Sequence, residues 1–138
     1  MLMTAYIEVI RGTPMLVQLY FFYFGLPKLI PQLDSAFISI TIACIVNSVA
    51  YVAEIIRAGI QAVDKGQTEA ARSLGLSKGQ AMVKIIFPQA IKNILPAIGN
   101  ECIALLKETS VAGYVTVVDL TRAANLIRTN TNDAVNPL

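Results

Sequence analysis

Three apolar runs, separated by polar punctuation, organise the chain. The first is Met15 to Ile30, preceded by Arg11-Gly12-Thr13-Pro14. Thr13 is placed to cap a helical turn, and Pro14 suits its first position because its missing N–H would be unpaired there anyway. As a helix this run reaches about 24 Å, slightly short of a hydrocarbon core of roughly 30 Å. Pro27, Pro31 and Asp34 then mark a tight turn. The second run, Ala36 to Ile56, is long enough to cross a bilayer, and the third starts at Ile91, passes Leu106 and can continue to Val118. The pattern predicts spans over about 14–30, 36–56 and 91–118, with a region of different character over about 57–90.

From Arg57 to Lys92 the chain carries Arg57, Lys65, Arg72, Lys78, Lys84 and Lys92, six of the eleven basic residues, whereas the turn between the first two runs holds only Lys28. By the positive-inside rule the basic segment is cytoplasmic and the Pro-rich turn lies outside. Local signals inside the segment are dense. Lys65-Gly66 reads as the end of one helix. Gln67 to Leu74 reads as a short helix with Ala70, Ala71 and Leu74 on one side, and Gly75 suits the left-handed position beyond it. Ser77 with Gln80 forms the pattern of a capping box that opens another helix, which Pro88 should bend or end.

Polar residues within the apolar runs are not scattered. Asn47, Tyr51 and Glu54 follow at steps of four and three, so they share a helical face. One reading makes Glu54 a headgroup-level residue and Asn47 a bond to a neighbouring helix; the other makes the face the lining of a polar path. In the third run Asn93, Asn100 and Lys107 recur every seven residues, with Ala97 and Ala104 between them. Glu101, Lys107 and Glu108 would be costly against lipid, so a protein-facing or wet setting is expected. The candidate path residues are therefore Asn47, Tyr51, Glu54, Asn100 and Glu101.

Composition strengthens the membrane reading. Of 138 residues, 55% are hydrophobic and 14% charged, and mean hydropathy is +0.61. Soluble domains carry about 25% charged residues. A net charge of +2 is too small to imply a nucleic-acid partner. The sequence contains no His, which removes the commonest metal ligand and general base. Cys44 and Cys102 sit in apolar stretches without a CxxC pairing and read as small buried hydrophobes. The opening Met1-Leu2-Met3-Thr4 lacks the basic region and cleavage site of a secretory signal.

The segment Glu69-Ala70-Ala71-Arg72-Ser73-Leu74-Gly75, followed nine residues later by Ile85-Ile86-Phe87-Pro88, resembles the EAA motif of importer permeases in the ATP-binding cassette family. Phe87 in place of Leu is the one departure. Arg11-Gly12-Thr13-Pro14 with Val17-Gln18-Leu19 is similar to a segment of the polar amino-acid branch, the histidine, glutamine, arginine and cystine type. So are Asn47-Ser48-Val49-Ala50-Tyr51 with Ala53-Glu54-Ile55-Ile56-Arg57, Leu106-Lys107-Glu108-Thr109-Ser110, and Leu120-Thr121-Arg122-Ala123-Ala124.

The resemblance implies an all-α, polytopic bundle in the plasma (inner) membrane, crossing it several times. It implies a cytoplasmic coupling helix that docks on a separate ATP-binding subunit, with Glu69, Ala70, Ala71, Gly75 and Leu76 as the coupling residues. ATP and Mg would be bound by that partner, and this chain would need no cofactor. A second permease subunit and an extracytoplasmic solute-binding protein are the other implied partners. Such permeases usually have a span before the Arg11-Gly12-Thr13-Pro14 segment and another after Ala124. Both are absent, so a chain truncated at both ends is expected.

Other readings are weaker. Glu69 through Gly75 to Ile86 imitates a DNA-binding helix-turn-helix, but that unit sits between membrane-grade runs without a strong basic excess. No P-loop, zinc-protease motif or His-based triad supports an enzyme. A channel lacks an explanation for the EAA match. A permease for another small polar solute, or an inactive fragment, remains the alternative within the family.

Overall fold

The computed structural model describes residues 2–110 and 120–131, all helices and short connections. Helix α1 (Leu2–Arg11) is followed by α2 (Met15–Leu29), a single tight turn at Pro31–Leu33, and the long α3 (Ala36–Gln61). The short α4 (Lys65–Ser73) leads into α5 (Lys78–Ala81). One widened turn, Met82–Ile86, joins α5 to α6 (Phe87–Glu108), and α7 is Leu120–Thr131.

Helix α3 is the hub, with α1, α2 and α6 packed against it. Its buried positions Ser39, Ala43, Asn47 and Ala50 recur at helical spacing. Small side chains there let α2 approach closely, the usual solution where lipid supplies no hydrophobic drive between helices. Leu19 is buried on Ala43, and Met15, Phe22, Tyr23 and Ile40 surround the pair. Tyr6 in α1 donates a 2.7 Å hydrogen bond to the Val46 carbonyl of α3. Thr41 and Ser48 turn their hydroxyls back onto the carbonyls four residues earlier, at 2.8 Å each, and so hide them from an apolar surround.

Helices α3 and α6 approach closely. A Cβ on Gly59 would stand 2.3 Å from Cγ1 of Ile94. Cys44 and Glu108 are electrostatic neighbours at the other end, so the two helices run antiparallel. Large apolar residues cover the outside: Phe21 is 69% exposed, Phe37 69% and Leu106 73%. A soluble surface rarely carries so much apolar area; lipid tails accept it.

Among the described residues, two stretches are long and apolar enough to cross a membrane, Ala36–Gln61 and the continuous Lys78–Glu108. The first run differs from expectation. Its helix has 15 residues, about 22 Å, and Pro27 lies inside it rather than in the turn. Thr13 does not cap it, because its hydroxyl donates instead to the Val9 carbonyl of α1 at 2.7 Å. Pro14 is itself the capping residue, and its carbonyl accepts from Val17 and Gln18. The second helix runs on to Gln61, past Ile56.

Lys65-Gly66 opens a helix instead of closing one, since the Asp64 carboxylate accepts from the Gly66 N–H at 2.8 Å. Gly75 does take the left-handed conformation, with φ +83°, and Ser77 and Gln80 form the reciprocal capping box. Pro88 neither ends the helix nor stands in a sharp break; the turn before it widens. The pattern gave no hint of α1 or α7. The third run beyond Ser110 and the tail beyond Thr131 lie outside the described residues.

The Gly59–Ile94 crossing carries a stability prediction. Gly59→Val forces the helices apart and should cost about 1–3 kcal/mol, the range for overpacked cores. Adding Ile94→Ala should recover part of the loss, read as the melting temperature of the detergent-solubilised protein. Equal melting temperatures for wild type and Gly59→Val would refute the close approach.

Candidate functional site

Two features carry chemistry, and both lie at the end of the bundle where α3 leaves it and α6 enters. The first is an ionic cluster. Arg57 donates from Nε to Glu54 Oε2 at 2.8 Å and from a terminal nitrogen to Gln61 at 3.0 Å. Arg11, at the end of α1, places a guanidinium nitrogen 3.5 Å from the same Glu54 carboxylate. Its guanidinium carbon stands 5.4 Å from the centre of the Tyr51 ring, within the range of a cation–π contact. Two arginines thus surround one carboxylate and leave an excess positive charge.

The Arg11–Glu54 pair stands between two clefts. One, of about 370 Å³, is lined by Tyr51, Glu54 and Gly59 of α3, Asn93 and Ala97 of α6, and Arg11. The other, of about 320 Å³, lies between α1 and α3 and includes Thr4, Glu8 and Arg57. Each falls in the range of small-molecule sites, roughly 300–1,000 Å³. The larger offers a cation, a carboxylate, an amide and a phenol ring on an otherwise apolar wall. That set can hold a small zwitterion or another polar solute by its charged ends.

The structure sorts the candidate path residues. Tyr51 and Glu54 line the larger cleft; Asn47, Asn100 and Glu101 do not. Asn100 and Glu101 continue the α6 stripe one turn beyond Ala97, Asn100 exposed and Glu101 half-buried. Asn47 is 2% exposed and donates to Gln18 Oε1 at 3.3 Å, the arrangement of a bond between helices. Gln18 in turn donates to the carbonyls of Ile10 and Thr13, at 2.7 and 2.9 Å. One buried amide thereby fixes the α1–α2 bend and ties it to α3. Arg11, Asn93 and Gln18 were not singled out from the pattern as site residues. A glutamine three residues after the Met15 start of an apolar run was the available signal.

The second feature is the elbow α4–Gly75–α5. Glu69, Ala70 and Gly75 are exposed, and Leu76 is half-buried. Ala71 is only 4% exposed and packs inward on its own chain, so it presents no contact surface of its own. Leu74 was expected on the same side but is 83% exposed. The reason is the turn: Leu74 follows the last helical residue, where the chain swings into Gly75.

With the geometry described, comparison with known proteins places the chain. Residues 1–135 match the family of binding-protein-dependent transport system inner membrane components, and the chain belongs to that family. It is 48% identical over 128 residues to the probable glutamine ABC transporter permease protein GlnM of Bacillus subtilis (strain 168), covering 93% of this chain and 59% of that protein. It is 46% identical over 133 residues to the arginine transport system permease protein ArtQ of the same organism, covering 96% and 61%. A crystal structure of an amino acid ABC transporter with histidines superposes with a TM-score of 0.87 at 54% identity, over 97% of this chain and 62% of that one. The chain thus spans about three-fifths of the length of these relatives. Its importer-type, all-helical membrane fold is the one its sequence resembles.

The buried amide network yields a test of its own. Gln18→Leu takes the side-chain donor from the Thr13 carbonyl and the acceptor from the Asn47 amide, leaves the Ile10 carbonyl only the Thr13 N–H, and should destabilise by about 1–3 kcal/mol. Gln18→Leu with Asn47→Leu should be less harmful than the sum of the single changes, measured by chemical or thermal unfolding in detergent. Additive losses would mean that the two amides are not coupled.

Proposed function

We propose that the chain forms the core of a membrane permease subunit of an ATP-binding cassette importer that carries polar amino acids. The observation that carries this reading is the exposed EAA elbow, held out by a left-handed Gly75 and a capping box at the end of the bundle where the polar cleft lies. A projecting elbow rooted in a spanning helix suits the docking of a cytoplasmic ATP-binding subunit. Hydrolysis belongs to that partner, which holds ATP and Mg; this chain supplies the contact and the path. The subunit crosses the inner membrane several times. It works beside a second permease subunit and receives solute from an extracytoplasmic binding protein.

In this reading the docking face is Glu69, Ala70, Leu74 and Gly75, with Leu76 behind it and Ala71 as internal packing. The larger cleft is the cytoplasmic part of the path. Arg11 attracts a carboxylate and Glu54 an ammonium, with Tyr51 and Asn93 on the walls. Asn100 and Glu101 extend the path away from the cytoplasm along α6, and Asn47 shapes it from behind. Names of the relatives, glutamine and arginine permeases among them, support a polar amino acid as cargo.

Cross-linking tests the coupling role. In full-length protein with Cys44 and Cys102 replaced, Ala70→Cys should cross-link to the ATP-binding subunit in membranes, and ATP should change the yield. Ala71→Cys should not cross-link. Absence of any product at Ala70 and at Leu74→Cys would sink the importer assignment. For the path, Tyr51→Ala and Glu54→Ala should each lower uptake roughly tenfold or more, the scale of one charged or aromatic contact. Uptake unchanged in both would remove the cleft from the route.

A further inference from the structure

Between the elbow and the spanning helix lies a single widened turn, Met82–Ile86, in which the Phe87 N–H reaches back five residues to the Met82 carbonyl. Such turns are rare and cluster at functional positions. The local cause here is Pro88, the second residue of α6. Proline has no N–H to give the Lys84 carbonyl four residues earlier, and its ring would collide with that carbonyl in a regular helix. Widening the turn relieves the collision and lets the helix continue without a break.

One residue later, Gln89 holds this geometry from two sides. Its Nε2 donates to the Ile85 carbonyl inside the widened turn at 3.0 Å, and also to Oε1 of Gln67 in α4 at 3.3 Å. Among the described residues this is the only side-chain hydrogen bond between α4 and the helix that follows the elbow. Beneath it the contact is made by small and apolar groups: Ala81 and Ala90 are fully buried, Ala71 and Ile86 nearly so. Apolar packing of this kind permits sliding, whereas the Gln67–Gln89 bond, though exposed, has a direction and favours one arrangement.

We infer that Gln89 is a positioning residue for energy coupling. Its amide locks the widened turn to the elbow helix, so that displacement of α4 by a docked partner moves α6 and does not merely flex the joint. The inference rests on the coupling role proposed for the elbow. Loss of the lock leaves docking and ATP hydrolysis intact but lets the joint yield, so hydrolysis proceeds with less transport.

The test uses the full-length permease assembled with its ATP-binding subunit and solute-binding protein in proteoliposomes, with uptake and hydrolysis measured together. Gln67→Leu is the first variant, since Gln67 is exposed and its replacement leaves the apolar contact untouched. Gln89→Leu is the second. Each should lower solute moved per ATP hydrolysed by roughly two- to tenfold, the span that one neutral hydrogen bond can set. Co-purification of the ATP-binding subunit and the melting temperature should stay near wild type. The double variant should be no worse than either single one, and Gln67→Glu with Gln89→Lys, an ion pair in place of the amide pair, should restore the ratio. An unchanged ratio in Gln67→Leu and Gln89→Leu overturns the inference. So does a ratio that falls only in step with melting temperature. Failure of the wild-type permease to retain the ATP-binding subunit would instead overturn the coupling role itself.

Discussion

Gly59 lets α6 approach α3 until Ile94 fills the space where a side chain would stand, and much of the arrangement follows from that crossing. It lies near the end of α3, beside Glu54 and Arg57 and one residue from Asn93. Gly59 itself lines the larger cleft, with Tyr51, Glu54, Asn93 and Ala97. A larger residue at the crossing would separate the helices and change the width of the cleft at the same time. The same small-residue logic operates along Ser39, Ala43, Asn47 and Ala50, where α2 meets α3. In lipid, close packing and buried polar bonds replace the hydrophobic drive that holds soluble helices together.

The polar groups divide by that criterion. Gln18 and Asn47 are almost wholly buried, and their amides serve the backbone bend between α1 and α2 and the contact with α3. Breaking such a network leaves unpaired groups in a low-dielectric interior, which is costly. Arg11, Glu54 and Arg57 are different. The guanidinium side chains are 42% and 56% exposed, so solvent screens their attraction and the pairs contribute little to stability. In the proposed function, this charge on the wall of a cleft serves what enters it.

Much of the elbow was legible in the sequence because its signals are local. Gly75 and the Ser77–Gln80 box act through backbone geometry within four residues, and no distant group can easily override them. The helical membrane fold was legible for a related reason: apolar runs of spanning length have few alternatives. What stayed hidden depended on partners far along the chain. Glu54 and Arg11 lie 43 residues apart, and Tyr6 and the Val46 carbonyl 40; no periodicity links them. Ala70, Ala71 and Leu74 look equivalent on a helical wheel, yet Ala71 is buried and Leu74 is not, because helix α4 ends at Ser73. Asn47 and Glu54 share a face in projection, but seven residues separate them by about 10 Å of rise. That is far enough for one to bond Gln18 and the other to line a cleft.

The positions of elbow and cleft also constrain how force could pass between them. Gln89 and Asn93 are one helical turn apart, about 6 Å, with no break between them in α6. Any rotation of α6 at its root therefore turns Asn93 against Tyr51 and Glu54, with Pro96, the proline inside α6, lying beyond Asn93. The compliant part lies on the other side of Gln89, in the widened turn and the apolar contact with α4. A stiff helix joined to a soft joint transmits a push only when the joint is held. On the inference drawn for Gln89, the bond across that joint, and not the length of the helix, decides whether motion at the elbow reaches the cleft.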